Sequence, residues 1–124
     1  SGMKQLKFST LLQLESATIA MILAASFALL LDKDLSRFSN EVFKYYNVAE
    51  TLPEHYREAL SLYKSRENEA KLMVEDLSMD SIFSGYTELM EQHKGNVPLQ
   101  RKACVRSYPH TYWNYYFFGY NNID

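Results

Sequence analysis

Residues 16–31 read SATIAMILAASFALLL, sixteen positions without a charged side chain. Whether that run crosses a membrane or packs inside a protein decides the fold. As a helix it spans about 24 Å, short of the roughly 30 Å hydrocarbon core of a bilayer. Extending it back to Phe8 supplies the length but places Glu15 inside the span, at a cost of about 1–3 kcal/mol on insertion scales. A membrane anchor over residues 8–31 therefore stays open. So does a signal peptide, with Lys4 and Lys7 ahead of the apolar run and Ser26-Phe27-Ala28 as a poor cleavage site. The charged, evenly amphipathic sequence after Asp32 continues in the manner of a helical domain and favours a buried core helix.

That helix carries a distinctive pattern. Ser16, Ala20, Ala24 and Ala28 recur every four residues and form a ridge of small side chains along which a second helix can approach closely. Ile19, Leu23, Phe27 and Leu30 make a face of large residues, and Met21, Ile22 and Leu29 fill the remaining sides. A helix apolar all round needs cover all round. The expectation is a central helix wrapped by the others, or one covered partly by a second subunit, which makes a homodimer one of the expected assemblies.

The rest of the composition is consistent with one folded helical domain. The chain has 124 residues, 13 Lys+Arg against 15 Asp+Glu, a formal charge of −2, and 47% hydrophobic residues. Those values exclude a disordered chain, a collagen-like repeat and a uniformly basic nucleic-acid protein. The lone Cys104 excludes an internal disulfide and points to a reducing, cytoplasmic setting. Ser1-Gly2 ahead of Met3 reads as the remnant of a cleaved tag, so the domain is expected over residues 3–124.

Further helices follow from spacing and capping signals. Thr10-Leu-Leu-Gln13 fits a capping box for the first helix, and Asp32, Lys33 and Asp34 close it. Leu35, Phe38, Val42, Tyr45 and Tyr46 predict a second helix ending at Asn47. Thr51-Leu-Pro-Glu54 is another capping box, with Pro53 in the first turn. From there Tyr56, Leu60, Tyr63, Glu67, Ala70, Val74 and Leu77 alternate steps of four and three. They predict one helix about 40 Å long over residues 52–77, with Glu67 as a solvated or paired charge where it leaves the core. Asp80 is expected to cap the next helix, whose inner face carries Ile82, Phe83, Tyr86, Leu89 and Met90 and which stops at Gly95. Pro98, Pro109 and Gly119 predict two short helices over 99–107 and 110–118, against the alternative that TYWNYYFF is a strand. The fold class is therefore all-α, a single-domain bundle of four to six helices around an Ala-rich central first helix.

Catalytic constellations are hard to find. There is no Gly-rich phosphate loop, nucleophile elbow, CxxC or HExxH motif. His55, His93 and His110 lie far apart in sequence and suggest no metal site. Glu54 and Glu58 share a helix face, and His55 points about 100° away from it. Glu88-Leu-Met-Glu91-Gln-His93 lacks the Glu/His spacing of di-iron bundles, and His93 suits a helix C-terminus. Cys104 between Lys102 and Arg106 reads as a buried structural thiol. No enzyme, cofactor or metal is expected. A cleft gathering Glu54, Glu58, Glu67 or a His with a displaced pKa would revive the enzyme reading.

The one break in composition is the segment 92–124. From Gln92 to Ile123 it holds Lys94, Arg101, Lys102 and Arg106 and no acid, whereas the preceding residues are net acidic. Eight of the eighteen aromatics lie there: Tyr108, Tyr112, Trp113, Tyr115, Tyr116, Phe117, Phe118 and Tyr120. They can be core, with Tyr hydroxyls reaching water. They can form a protein-binding surface, to which basic neighbours steer an acidic partner. They can stack unpaired bases while Arg101, Lys102 and Arg106 meet phosphates, though four cations are few for that task and the acidic remainder repels the backbone. The expectation is a small non-catalytic interaction or regulatory protein that binds another protein. Its surface would include Arg101, Lys102, Arg106, Tyr108, Tyr112, Trp113, Tyr115, Tyr116 and Tyr120. Single-stranded nucleic acid and a membrane-anchored protein are the alternatives.

Overall fold

The computed structural model describes residues 20–21, 23–43, 52–67 and 75–120. The protein is an all-α helical bundle, with six helices and no strand among the described residues. The chain falls into two compact units, Ser1–Thr51 and Leu52–Asp124.

In the first unit, α1 covers residues 23–31, with residues 20–21 also helical, and α2 is Leu35–Phe43. The turn between them is a Schellman motif made without glycine. Lys33 takes the left-handed conformation (φ 60°), its N–H donates to the Leu30 carbonyl at 3.1 Å, and the Asp34 N–H reaches back to Leu29 at 3.0 Å. Asp34 then caps α2, its side chain accepting from the Arg37 N–H at 3.2 Å. The expected closure of the first helix at Asp32–Asp34 is therefore seen. Leu35, Phe38, Ser39 and Val42 form the buried face of α2. The first helix itself is covered along one side rather than all round. Ser26 and Leu30 are buried, while Met21 is 73% exposed and Phe27 and Leu31 are exposed with it. The capping box at 10–13, the small-residue position Ser16 and the end of the second helix at Tyr45–Asn47 lie outside the described residues.

The second unit holds α3 (Glu54–Arg66), α4 (Leu77–Gln92), α5 (Val97–Ser107) and α6 (Tyr112–Phe118). α3 packs on α4 and α6, and α5 packs on the same two, so the four helices close a ring. Its core is aromatic. Phe83 and Tyr86 of α4, Tyr108 after α5, and Trp113 and Phe117 of α6 meet with ring centroids 5.0–6.3 Å apart, mostly in the tilted or edge-on arrangements such rings prefer.

The long helix expected over 52–77 is corrected. α3 stops at Arg66 and Glu67 is extended (φ −117°, ψ 109°), its N–H still bonded to the Tyr63 carbonyl. Lys64 and Arg66 fill the last turn, where positive charge complements the helix dipole. Glu67 is exposed at this end. The N-cap of α3 is Pro53, with no side-chain capping bond, so Pro53 sits one place before the first turn expected of it. The cap of α4 is Asp76 rather than Asp80, its carboxylate accepting from the Met79 N–H at 3.3 Å. Of the expected inner face, Phe83 and Tyr86 are buried with Met79, whereas Ile82 is exposed.

The short helices at the end match the sequence reading closely. Asn96 caps α5, bonding the Leu99 N–H at 3.2 Å, with Pro98 in the first turn. Gln100 closes the corner by donating from Nε2 to the Met90 carbonyl at 2.7 Å. Thr111 caps α6, and Gly119 ends it in the left-handed conformation at φ 67°. Pro109 belongs to the connecting turn, where His110 also has a positive φ of 62°.

Candidate functional site

α6 has only seven residues, too few to hold a helix in water unaided. Its placement comes from α3. Glu58, 4% exposed, accepts the Tyr112 N–H on Oε1 at 2.9 Å. Tyr112 opens α6, so this carboxylate satisfies an otherwise orphaned N–H in the first turn and faces the positive end of the helix dipole. The same oxygen lies 2.8 Å from His55 Nδ1. The main chain of Glu58 contributes as well, its carbonyl accepting the Trp113 indole N–H at 2.8 Å. One residue of α3 thus holds two successive residues of α6.

Asn114, the next residue, joins the other two helices. Its Oδ1 accepts the Tyr86 hydroxyl at 2.9 Å. Its Nδ2 donates to the Tyr108 carbonyl at 2.7 Å and the Cys104 carbonyl at 3.4 Å. Asn114 is fully buried, so these bonds are what make its burial tolerable. Burial pushes the Tyr86 phenol up, the neighbouring Cys104 adding to it. Burial likewise pushes the Cys104 thiol up, against the opposing hydrogen bond of Tyr86, which suits a structural cysteine rather than a nucleophile.

α3 and α4 are held by charge. Arg57 forms a two-pronged pair with Asp76, Nε to Oδ2 at 2.7 Å and Nη2 to Oδ1 at 2.9 Å. This guanidinium holds the Asp76 carboxyl below the ordinary aspartate range. Lys64 is buried yet pairs with Asp80 at 2.6 Å, while the Ser61 hydroxyl donates to the other Asp80 oxygen at 2.6 Å. The aspartate expected as a helix cap is therefore part of a clasp between helices.

The expected surface separates into two layers. Tyr112 and Trp113 are 0% exposed and are corrected from surface to core: Trp113 lies between Phe83, Tyr86 and Tyr108 and spends its only polar group on Glu58. Tyr108, Tyr115, Tyr116 and Tyr120 are half-buried. Arg101, Lys102 and Arg106 are exposed on α5. Tyr108 packs its hydroxyl over Gly85 of α4, where a Cβ would lie 2.5 Å from that oxygen. Arg101 stacks over the Tyr120 ring at 5.4 Å.

Two contributors escaped the sequence reading. Arg66 lies over Tyr116 at 5.0 Å and Phe117 at 5.7 Å and donates to the Tyr116 hydroxyl at 2.9 Å. Nothing local in the sequence signals a partner fifty residues away. His55, expected to point away from Glu54 and Glu58, is corrected: it stands three residues before Glu58 on one helix, a spacing that brings side chains together, and its Nδ1 lies 2.8 Å from Glu58 Oε1. Glu54, paired with Glu58 in the sequence reading, is exposed. Among the described residues, no three His, Cys, Asp or Glu are grouped to hold a metal ion. Nor is any helix long and apolar enough to cross a membrane; residues 8–19 of the stretch considered as an anchor lie outside the described residues.

Fold and surface together define a small helical bundle with an aromatic core, a tyrosine-edged margin and a row of exposed cations. The chain belongs to a family of unknown function, DUF6057, whose model matches residues 13–119. No curated protein and no solved structure matches it.

Proposed function

We propose that the protein is a non-catalytic interaction module that binds an acidic protein through the outer face of α5 and the neighbouring tyrosine edges. The observation that carries this reading is the state of Arg101, Lys102 and Arg106. All three are exposed, and none forms an ion pair with a carboxylate among the described residues. Of the other described helical cations of this unit, Arg57 pairs with Asp76 and Lys64 with Asp80. The stretch from Gln92 to Ile123 contains no acid, so a partner's carboxylates meet an attractive field without local competition. Half-buried Tyr120, under Arg101, supplies rigid contact area beside it, and half-buried Tyr115 and Tyr116 extend the aromatic margin along α6.

The test is affinity capture from native lysate with wild type and with the double charge reversal Lys102→Glu/Arg106→Glu, each treated with nuclease. Both side chains are exposed, so the melting temperature stays within a few degrees of wild type. The expected result is a set of acidic proteins that wild type retains and the variant loses. Retention of the same proteins by both overturns the reading, and capture abolished by nuclease transfers it to nucleic acid.

A further inference from the structure

Among the described residues of the second unit, two exposed cations lie over aromatic rings. Arg66, at the end of α3, covers Tyr116 and Phe117 with its guanidinium carbon 5.0 and 5.7 Å from the two centroids. Arg101, on α5, covers Tyr120 at 5.4 Å. All three rings belong to the last turn of α6 or the residues just after it. α6 is flanked by α3 and α5, so one guanidinium reaches its C-terminal end from each neighbouring helix.

Stacking determines what such a cation can do next. A guanidinium held against aromatic rings gains cation–π attraction and still has N–H donors beyond those its neighbours use. The ring also removes rotamer freedom that an isolated surface arginine would lose on binding. For Arg66 the bond from Nη1 to the Tyr116 hydroxyl at 2.9 Å is a second point of attachment. Both residues remain exposed. A carboxylate is the group whose two oxygens match guanidinium donors.

We infer that Arg66 and Arg101 are a preorganised pair of carboxylate receptors at the C-terminal end of α6, and that they read clustered Glu or Asp side chains in an acidic segment of the partner. The inference rests on the proposed function and refines it. Lys102 and Arg106 supply attraction, whereas Arg66 and Arg101 supply geometry. A lysine in either stacked position keeps the charge and loses the planar, two-pronged edge.

The experiment titrates a fluorescein-labelled decaglutamate peptide against the full chain at low salt by fluorescence anisotropy. An unlabelled oligothymidylate serves as competitor, and thermal melts accompany each variant. Arg66→Ala/Arg101→Ala is expected to weaken peptide binding by about tenfold. Arg66→Lys/Arg101→Lys is expected to lose most of the same affinity with an unchanged melt, a result that neither bulk charge nor a purely structural role produces. Full affinity in the lysine pair overturns the inference. So does an unchanged affinity in the alanine pair when Lys102→Glu/Arg106→Glu has abolished binding, an outcome that leaves the proposed function standing. Failure of wild type to bind decaglutamate, or oligothymidylate binding in its place, overturns both.

Discussion

Replacing Glu58 tests whether α6 is held from α3. The residue is 4% exposed and its Oε1 takes the Tyr112 N–H at 2.9 Å with His55 Nδ1 2.8 Å away. Glu58→Ala removes a charge-assisted bond, worth about 1.5–3 kcal/mol net, and strands a buried N–H, at about 1–3 kcal/mol. The two costs overlap, because the stranded donor is part of the price of the lost bond, so the expected loss is about 2–4 kcal/mol. For a unit of this size, each kcal/mol lowers the melting temperature by about 4–8 °C. Glu58→Gln keeps an oxygen in place but not its charge and is expected to lose about half as much. The Trp113–Glu58 bond uses the main-chain carbonyl and survives both substitutions. Urea denaturation followed by fluorescence reads the second unit selectively, because Trp113 is the single tryptophan. Wild type, Gln and Ala should unfold at descending midpoints. An alanine variant within about 1 kcal/mol of wild type, well below the expected loss, would refute the assignment of α6 docking to this side chain.

Two further outcomes come from α4. Gly85→Ala places a Cβ 2.5 Å from the Tyr108 hydroxyl oxygen, with Cζ next at an ordinary 3.7 Å; it should destabilise by about 1–2 kcal/mol in wild type. In a Tyr108→Phe background the same change should stabilise by up to about 1 kcal/mol through helix propensity, and an equal penalty in both backgrounds would exclude the contact as its cause. Asp76 is held below the ordinary aspartate value of 3.8, first by its bond from Arg57. A depressed folded pKa stabilises above the unfolded value and ceases to do so as pH falls through the folded one. Asp76→Asn retains capping ability, so its deficit in urea midpoint should be full at pH 7 and close below about pH 4; a deficit independent of pH would show that the ion pair contributes nothing.

Local chemistry made much of this fold legible. The position of Asp34 ahead of α2, Pro98 in the first turn of α5 and Gly119 after α6 are signals written in a few adjacent residues. The end of α3 was not written there. Glu67 follows an uninterrupted helical spacing without Gly or Pro, and the chain leaves the helix at a point no propensity marks. Asp80 was expected as the cap of α4, where Asp76 serves. What separates them is Arg57 and Lys64 on another helix, and neither pairing has a sequence signature. The candidate surface was half legible for the same reason. Exposure of Arg101, Lys102 and Arg106 follows from charge, but a cluster of tyrosines and a tryptophan has no sign of its own. Trp113 has one polar atom, and its burial depended on finding a single acceptor, the carbonyl of Glu58. That acceptor lies fifty-five residues earlier. His55 and Glu58 are the exception: a spacing of three on one helix brings their side chains together, although His55 was expected to point away from the face that Glu54 and Glu58 share.

The dependence of α6 on Glu58 also sets an order of events during synthesis. α3, α4 and α5 leave the ribosome first, yet the space their aromatic side chains surround is filled by Trp113 and Phe117 from the helix that emerges after them. Until those residues are free, Phe83 and Tyr86 lack the rings that cover them, and the Glu58 carboxylate lacks its Tyr112 donor. The second unit is therefore completed only by the capture of α6. A nascent chain stalled before Thr111 would present an open aromatic cavity to any chaperone within reach.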